Sequence, residues 1–178
     1  MTYLLLLVTV LVGGAMAGCP DIPTLAVFDI AQYMGQWYEI QRYPQLGESS
    51  ETCVQVNYTL QADESVRLEN RGKKPDGRID DIKGTATVPD PAHPAELLVV
   101  FDEGFRGSYN VIRTDYAQAA LIYTCRALGP LLLENAWIMS REPVLDQDLV
   151  EAYRKVLADG GSDISQFSVT PQDCGDIF

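Results

Sequence analysis

Few side chains in this sequence can carry acid–base or nucleophilic chemistry. The only imidazole is His93, set in the turn-type run Pro91-Ala92-His93-Pro94. A base there would need a nucleophile and an orienting carboxylate at the same loop; an exposed loop histidine is the simpler reading. A single histidine also leaves no His-rich metal cluster, so no metal site is expected. Carboxylates are adjacent in Asp80-Asp81 and Asp102-Glu103. Neighbours on a strand point to opposite faces, so neither pair forms a dyad if extended. Solvated turn charge accounts for both. No catalytic residue is assigned and no cofactor is implied.

The cysteines are more informative. Cys19, Cys53, Cys125 and Cys174 lack the C-x-x-C spacing of a zinc knuckle or a redox site. Residues 1–18 carry no charge, and their apolar run from Leu4 to Val12 falls short of the ~20 residues that span a bilayer. Ala15-Met16-Ala17 then supplies the small-x-small pattern of a cleavage site. We therefore expect a signal peptide over 1–18 and a secreted single domain over 19–178. An uncleaved anchor and, from Gly18-Cys19, a lipoprotein signal are the alternatives. An even cysteine count in a secreted chain points to two disulfides, in any of three connectivities. Buried free thiols fit a leader peptide badly.

Composition narrows the class further. The 178 residues include 25 acidic and 13 basic side chains, for a net charge of −12. Such a chain has no basic face for nucleic acid. At this length one domain is expected.

The elements that must position these residues read as short strands. Eight β-type runs recur: Trp37–Ile40, Cys53–Leu60, Val66–Asn70, Ile79–Val88, Glu96–Phe101, Tyr109–Arg113, Ala119–Cys125 and Ala136–Arg141. Turn chemistry such as Pro75-Asp76-Gly77 and Asp102-Glu103-Gly104 separates them. The pattern predicts an all-β sandwich or antiparallel barrel. One helix follows, with Leu149, Tyr153, Val156 and Leu157 in a single stripe, Asp146 as N-cap and Gly160 as stop. Glu151 and Lys155 are spaced for an i,i+4 pair on its wet face. A last short strand is expected within Gln166–Thr170.

Strand parity then defines an interior. Val54, Val56, Tyr58 and Leu60 share one face of their strand, and Cys53, Gln55, Asn57 and Thr59 the other. Asn57-Tyr58-Thr59 is a glycosylation sequon, and a glycan on Asn57 must point to solvent. The Val54 face is then inward, and Cys53 is expected to face out. Trp137, Met139 and Arg141 share a face of the last run before the helix. A buried guanidinium there needs a partner, and an indole would accept it.

At this point the motifs resemble a known family. Gly35-Gln36-Trp37, Thr114-Asp115-Tyr116 and the lone Arg141 resemble, in order and spacing, the three signatures of the lipocalins. Cys19-Pro20, Gly35–Pro44, Cys53–Thr59 and Thr114–Cys125 are similar to the apolipoprotein D-like group of that family. The resemblance implies an eight-stranded antiparallel up-and-down barrel, closed at one end, with one C-terminal α-helix packed on the outside. It implies the bridges Cys19–Cys125 and Cys53–Cys174, with the C-terminal tail laid on the outer wall. Loops of 106 and 121 residues would each confer up to about 4–5 kcal/mol in the chain-entropy model. It places Arg141 across Trp37 at the closed end, with Thr114-Asp115-Tyr116 as a turn beside them. It matches Tyr58 and Trp137 to ligand contacts and Asn57 to a glycosylation position. The run Ala127–Leu133 lacks the aromatic content of that group, so its ligand preference does not transfer.

The implied function is a secreted carrier that binds a small hydrophobic ligand reversibly in the barrel. Fatty acids, sterols, retinoids, carotenoids and bilins are the candidate classes, with Tyr58, Trp137, Val54, Val56 and Met139 as contacts. A second reading makes Leu128 and Leu131–Leu133 an apolar patch at the open mouth that docks on a membrane or lipoprotein; its bland counterpart is that these leucines begin the eighth strand. A lipocalin-type isomerase comes last, since that chemistry resembles a thiol mechanism and two bridges leave no thiolate.

Overall fold

A computed structural model describes residues 18–44 and 51–174. The sequon, signatures and cysteines lie among them, whereas the proposed leader falls almost wholly outside the described residues. Eight antiparallel strands form the wall: β1 (Gly35–Arg42), β2 (Thr52–Leu60), β3 (Val66–Lys73), β4 (Ile79–Thr87), β5 (Glu96–Phe101), β6 (Arg106–Thr114), β7 (Ala119–Leu128) and β8 (Leu131–Ser140). Each strand pairs with the next, and β1 pairs with both β8 and β2, which closes the barrel. Closure removes every free strand edge along that circuit. A one-turn helix, α1 (Ile30–Tyr33), precedes β1, and α2 (Gln147–Asp159) follows β8.

Strand alternation separates two cores. Val56, Tyr58, Val66, Leu68, Leu97, Val99, Val111, Ile122 and Met139 fill the inside. Leu121, Tyr123, Ala136 and Ile138 face outward under α2. Asp146 caps α2 by accepting the amides of Asp148 and Leu149, and Gly160 ends it. Val150, Tyr153 and Leu157 are the residues α2 buries, so Val150 joins the stripe. Leu149 and Val156 flank it. Lys155 pairs with Asp159 at 2.6 Å, and Glu151 faces Arg154 at 3.8 Å, so the expected Glu151–Lys155 pair is replaced by two others.

Both bridges, Cys19–Cys125 and Cys53–Cys174, are formed. The surroundings of Cys53 add a feature that parity does not show. The register slips between Thr52 and Gln55, and Cys53 adopts φ +58°. This bulge breaks the alternation, and Cys53 is fully buried, its amide donating to the Pro171 carbonyl. The tail is likewise not draped over the wall but becomes part of it. A two-residue strand, β9 (Ser168–Val169), pairs with Gln41 and Arg42 of β1. The Gln172 amide then donates to both the Glu39 and Val54 carbonyls. Residues 168–174 thus fill the seam where β1 and β2 diverge. Leu60, expected inside, lies past the barrel floor and is 39% exposed.

The run 127–133 is not a free loop. Leu128 pairs with Leu131 across Gly129-Pro130, so β7 and β8 continue to the tip of their hairpin.

Candidate functional site

The closed end is a packed floor. Trp37 is wholly buried, and its indole N–H donates to the Tyr33 carbonyl at 2.9 Å. The Arg141 guanidinium stacks 3.8 Å above the Trp37 ring. It donates to the carbonyls of Tyr116, Gln36 and Gln32. Gly35, at φ +93°, brings the chain past that guanidinium with a nitrogen 3.4 Å from where a Cβ would stand. Asp115 accepts the amides of Ala117, Gln118 and Ala119 in the β6–β7 turn. Tyr116, at φ +63°, accepts the Asp29 amide on its hydroxyl and stacks on Phe28. The signature residues Gly35, Trp37, Thr114, Asp115, Tyr116 and Arg141 are therefore assembled at one end, as connectors of the N-terminal segment to three strands.

Above that floor lies a cavity of about 340 Å³. All five residues expected at a ligand line it: Val54, Val56, Tyr58, Trp137 and Met139. Leu68, Val99 and Tyr109 add to its apolar wall, and Asn70, Thr124 and Asn135 to its polar part. The Asn135 amide donates to the Thr124 hydroxyl. Charged groups, including Glu39, Arg42, Glu51, Arg71, Asp80 and Arg106, border it as well. Glu39 is buried beside Arg42 at 3.6 Å and accepts from the Thr170 hydroxyl of the inserted tail. Apolar walls with a few placed polar groups are what a small-molecule site requires.

The aromatic content of the cavity exceeds the two residues read from sequence. Tyr33 and Tyr109 join Tyr58 in one hydrogen-bonded group, with hydroxyl separations of 2.8 Å and 3.0 Å. Tyr109 also stacks on Trp137, centroids 6.4 Å apart. Burial pushes the pKa of all three phenols above its ordinary value. Tyr109 was findable: strand alternation puts it on the same face as Val111. Tyr33 was not, because α1 is too short to leave a periodic pattern.

Residues considered for chemistry are scattered. His93 is in the β4–β5 connection, its side chain 59% exposed and its Nδ1 3.9 Å from Glu96. Asp80 pairs with Lys74, Asp81 lies within 4 Å of both Arg71 and Lys83, and Asp102 takes Arg67 through both oxygens. The sequon Asn57 is half-buried on the outward-facing side of β2.

A lipocalin-like domain family matches residues 28–172. Apolipoprotein D of Cavia porcellus is 34% identical over 163 residues, covering 90% of this chain and 86% of that protein. The outer membrane lipoprotein Blc of Escherichia coli K12 is 32% identical over 143 residues, 79% of this chain and 77% of its own. Insecticyanin from the tobacco hornworm Manduca sexta superimposes with a TM-score of 0.76 at 22% identity, over 86% of this chain and 85% of its own.

Proposed function

This chain belongs to the lipocalin family, whose members bind small hydrophobic ligands, and on that premise we propose that it is a secreted carrier that takes one such molecule reversibly into its barrel. The observation that carries the reading is the cavity of about 340 Å³ walled at depth by Tyr58, Tyr109, Trp137 and Met139. Removing ligand surface from water supplies roughly 25 cal/mol per Å², less the cost of association. Fatty acids, sterols, retinoids, carotenoids and bilins remain the cargo classes. The cargo leaves unchanged: His93 lies away from the cavity and all four cysteines are bridged. Export is supported by the leader-like start of the sequence and by the two disulfides. We further propose a glycan on Asn57, which sits on the outer wall.

Native mass spectrometry after incubation with a total lipid extract tests the carrier role. One retained small molecule per protein, released by organic solvent, is the expected result. A protein that stays empty across lipid classes would contradict it.

A second reading is favoured by the open end. Leu131 is 65% exposed, and Phe105, in a turn at the same end, is 74% exposed. Exposed apolar groups at a mouth suit contact with a lipid surface during loading. Flotation with liposomes should fall for Leu131→Ser with Phe105→Ser. Equal flotation of variant and wild type would reject the docking role.

A further inference from the structure

The three buried phenols pose a question of proton accounting. Each hydroxyl carries one proton and two lone pairs. Tyr109 stands between the others, 2.8 Å from the Tyr33 oxygen and 3.0 Å from that of Tyr58. Two hydrogen bonds therefore engage two of the three protons, and one is left over. The Tyr58 hydroxyl donates to Tyr109. Tyr33 is sealed beneath, 3% exposed, and Tyr109 is the hydrogen-bond partner of its hydroxyl. A Tyr33 proton aimed anywhere else would be buried without an acceptor, which native structures avoid. Both neighbours thus donate inward, and both lone pairs of Tyr109 are used. The proton left over is its own, and Tyr109 borders the cavity.

We propose that Tyr109 is the polar anchor of the cavity, and that its free hydroxyl proton selects cargo bearing a carbonyl oxygen at the end that enters first. This rests on the carrier reading above. A hydroxyl that accepts two hydrogen bonds is polarised into a stronger donor. Stacking on Trp137 at 27° between planes holds the phenol in place. With its lone pairs taken, Tyr109 offers a donor and no acceptor, so a ligand group that can only donate, such as an ammonium, gains nothing from it. A hydrocarbon of the same shape leaves the proton unpaired. Burial keeps all three phenols protonated well beyond neutral pH, so the anchor does not switch off in that range.

The test uses 2-acetylnaphthalene and 2-ethylnaphthalene, which match in shape and differ in the carbonyl oxygen. Binding of each is measured to the wild-type protein and to Tyr109→Phe, Tyr58→Phe and Tyr33→Phe by calorimetry. Tyr109→Phe should weaken the ketone about tenfold, the worth of one hydrogen bond, and the hydrocarbon by less than about twofold. Tyr33→Phe and Tyr58→Phe should cost the ketone less than Tyr109→Phe does. The infrared carbonyl stretch of the ketone bound to wild type should lie below its value in hexane, a measurement that needs no variant. A hexane-like stretch, or equal losses for both probes in Tyr109→Phe, would overturn the anchor while leaving the carrier role standing. Failure of wild type to bind either probe would overturn both.

Discussion

The two ends of this barrel are held together by different means. At the closed end, Trp37, Arg141, Phe28 and Tyr116 interlock, and one guanidinium satisfies three main-chain carbonyls. At the open end, β1 and β2 diverge, and a covalent clip, Cys53–Cys174, pins the tail that fills the gap. The contrast assigns roles. Dense packing suits a floor that never opens, because packed interiors transmit strain and resist change. A seam closed by a two-residue strand, a short tail and one bridge suits an entrance, where local opening is cheap. The family signatures belong to the floor and say nothing of cargo; the residues that line the cavity lie above them.

The largest expected effect is at the floor. Trp37→Ala should lower unfolding free energy by about 4 kcal/mol, since it empties a fully enclosed site, measured by urea denaturation. Deleting the mouth's clip with Cys53→Ser and Cys174→Ser should cost about 3 kcal/mol through the unfolded state. The two losses should differ in kind. In hydrogen exchange, the clip variant should expose the amides at position 53 and at Thr170 first while that of Trp37 stays protected. Protection lost equally at both ends would break the comparison. Arg141→Met should follow at about 2–3 kcal/mol, from orphaned carbonyls and the lost stacking on Trp37.

pH separates the regions too. Tyr33, Tyr58 and Tyr109 have pKa values raised by burial in the fold. A raised pKa gives stability that is fully present below the unfolded value, near pH ~10, and lost as pH climbs beyond it. The interior should therefore yield to alkali. Asp102, held low by Arg67, and Asp76, held low by Arg78, lie in turns at the open end. Their contribution is present above about pH 4 and fades as pH falls, a small effect for exposed pairs. Thermal unfolding across pH should show a steep alkaline fall and a shallow acid one, with Tyr58→Phe moderating only the first. The smallest effect belongs to the rim: Leu131→Ser should change stability by less than about 0.5 kcal/mol.

Much of this division was legible in the sequence, for reasons that can be named. Val54, Val56 and Tyr58 alternate cleanly, so parity found the cavity wall. The same rule missed the bulge at Cys53, where a positive φ accompanies an extra residue that no period of two can anticipate. It missed the tail as well, because pairing of Ser168 and Val169 with β1 is a long-range event that two residues cannot advertise. Leu60 has the right parity but sits beyond the floor, a matter of height rather than face. Tyr33 escaped because a single helical turn carries no pattern, although it shapes the anchor. Asp146 and Gly160 were read correctly because caps are local chemistry.

The protein's two tryptophans sit one in each region, which allows the central claim to be tested directly. Trp37 is sealed in the floor and Trp137 lines the cavity. A dibrominated fatty acid, which quenches indole emission on contact, is titrated into Trp37→Phe and Trp137→Phe. Cargo in the barrel predicts saturable quenching when Trp137 is the remaining indole and little when Trp37 is. Equal quenching of the two variants, or none in either, would contradict it.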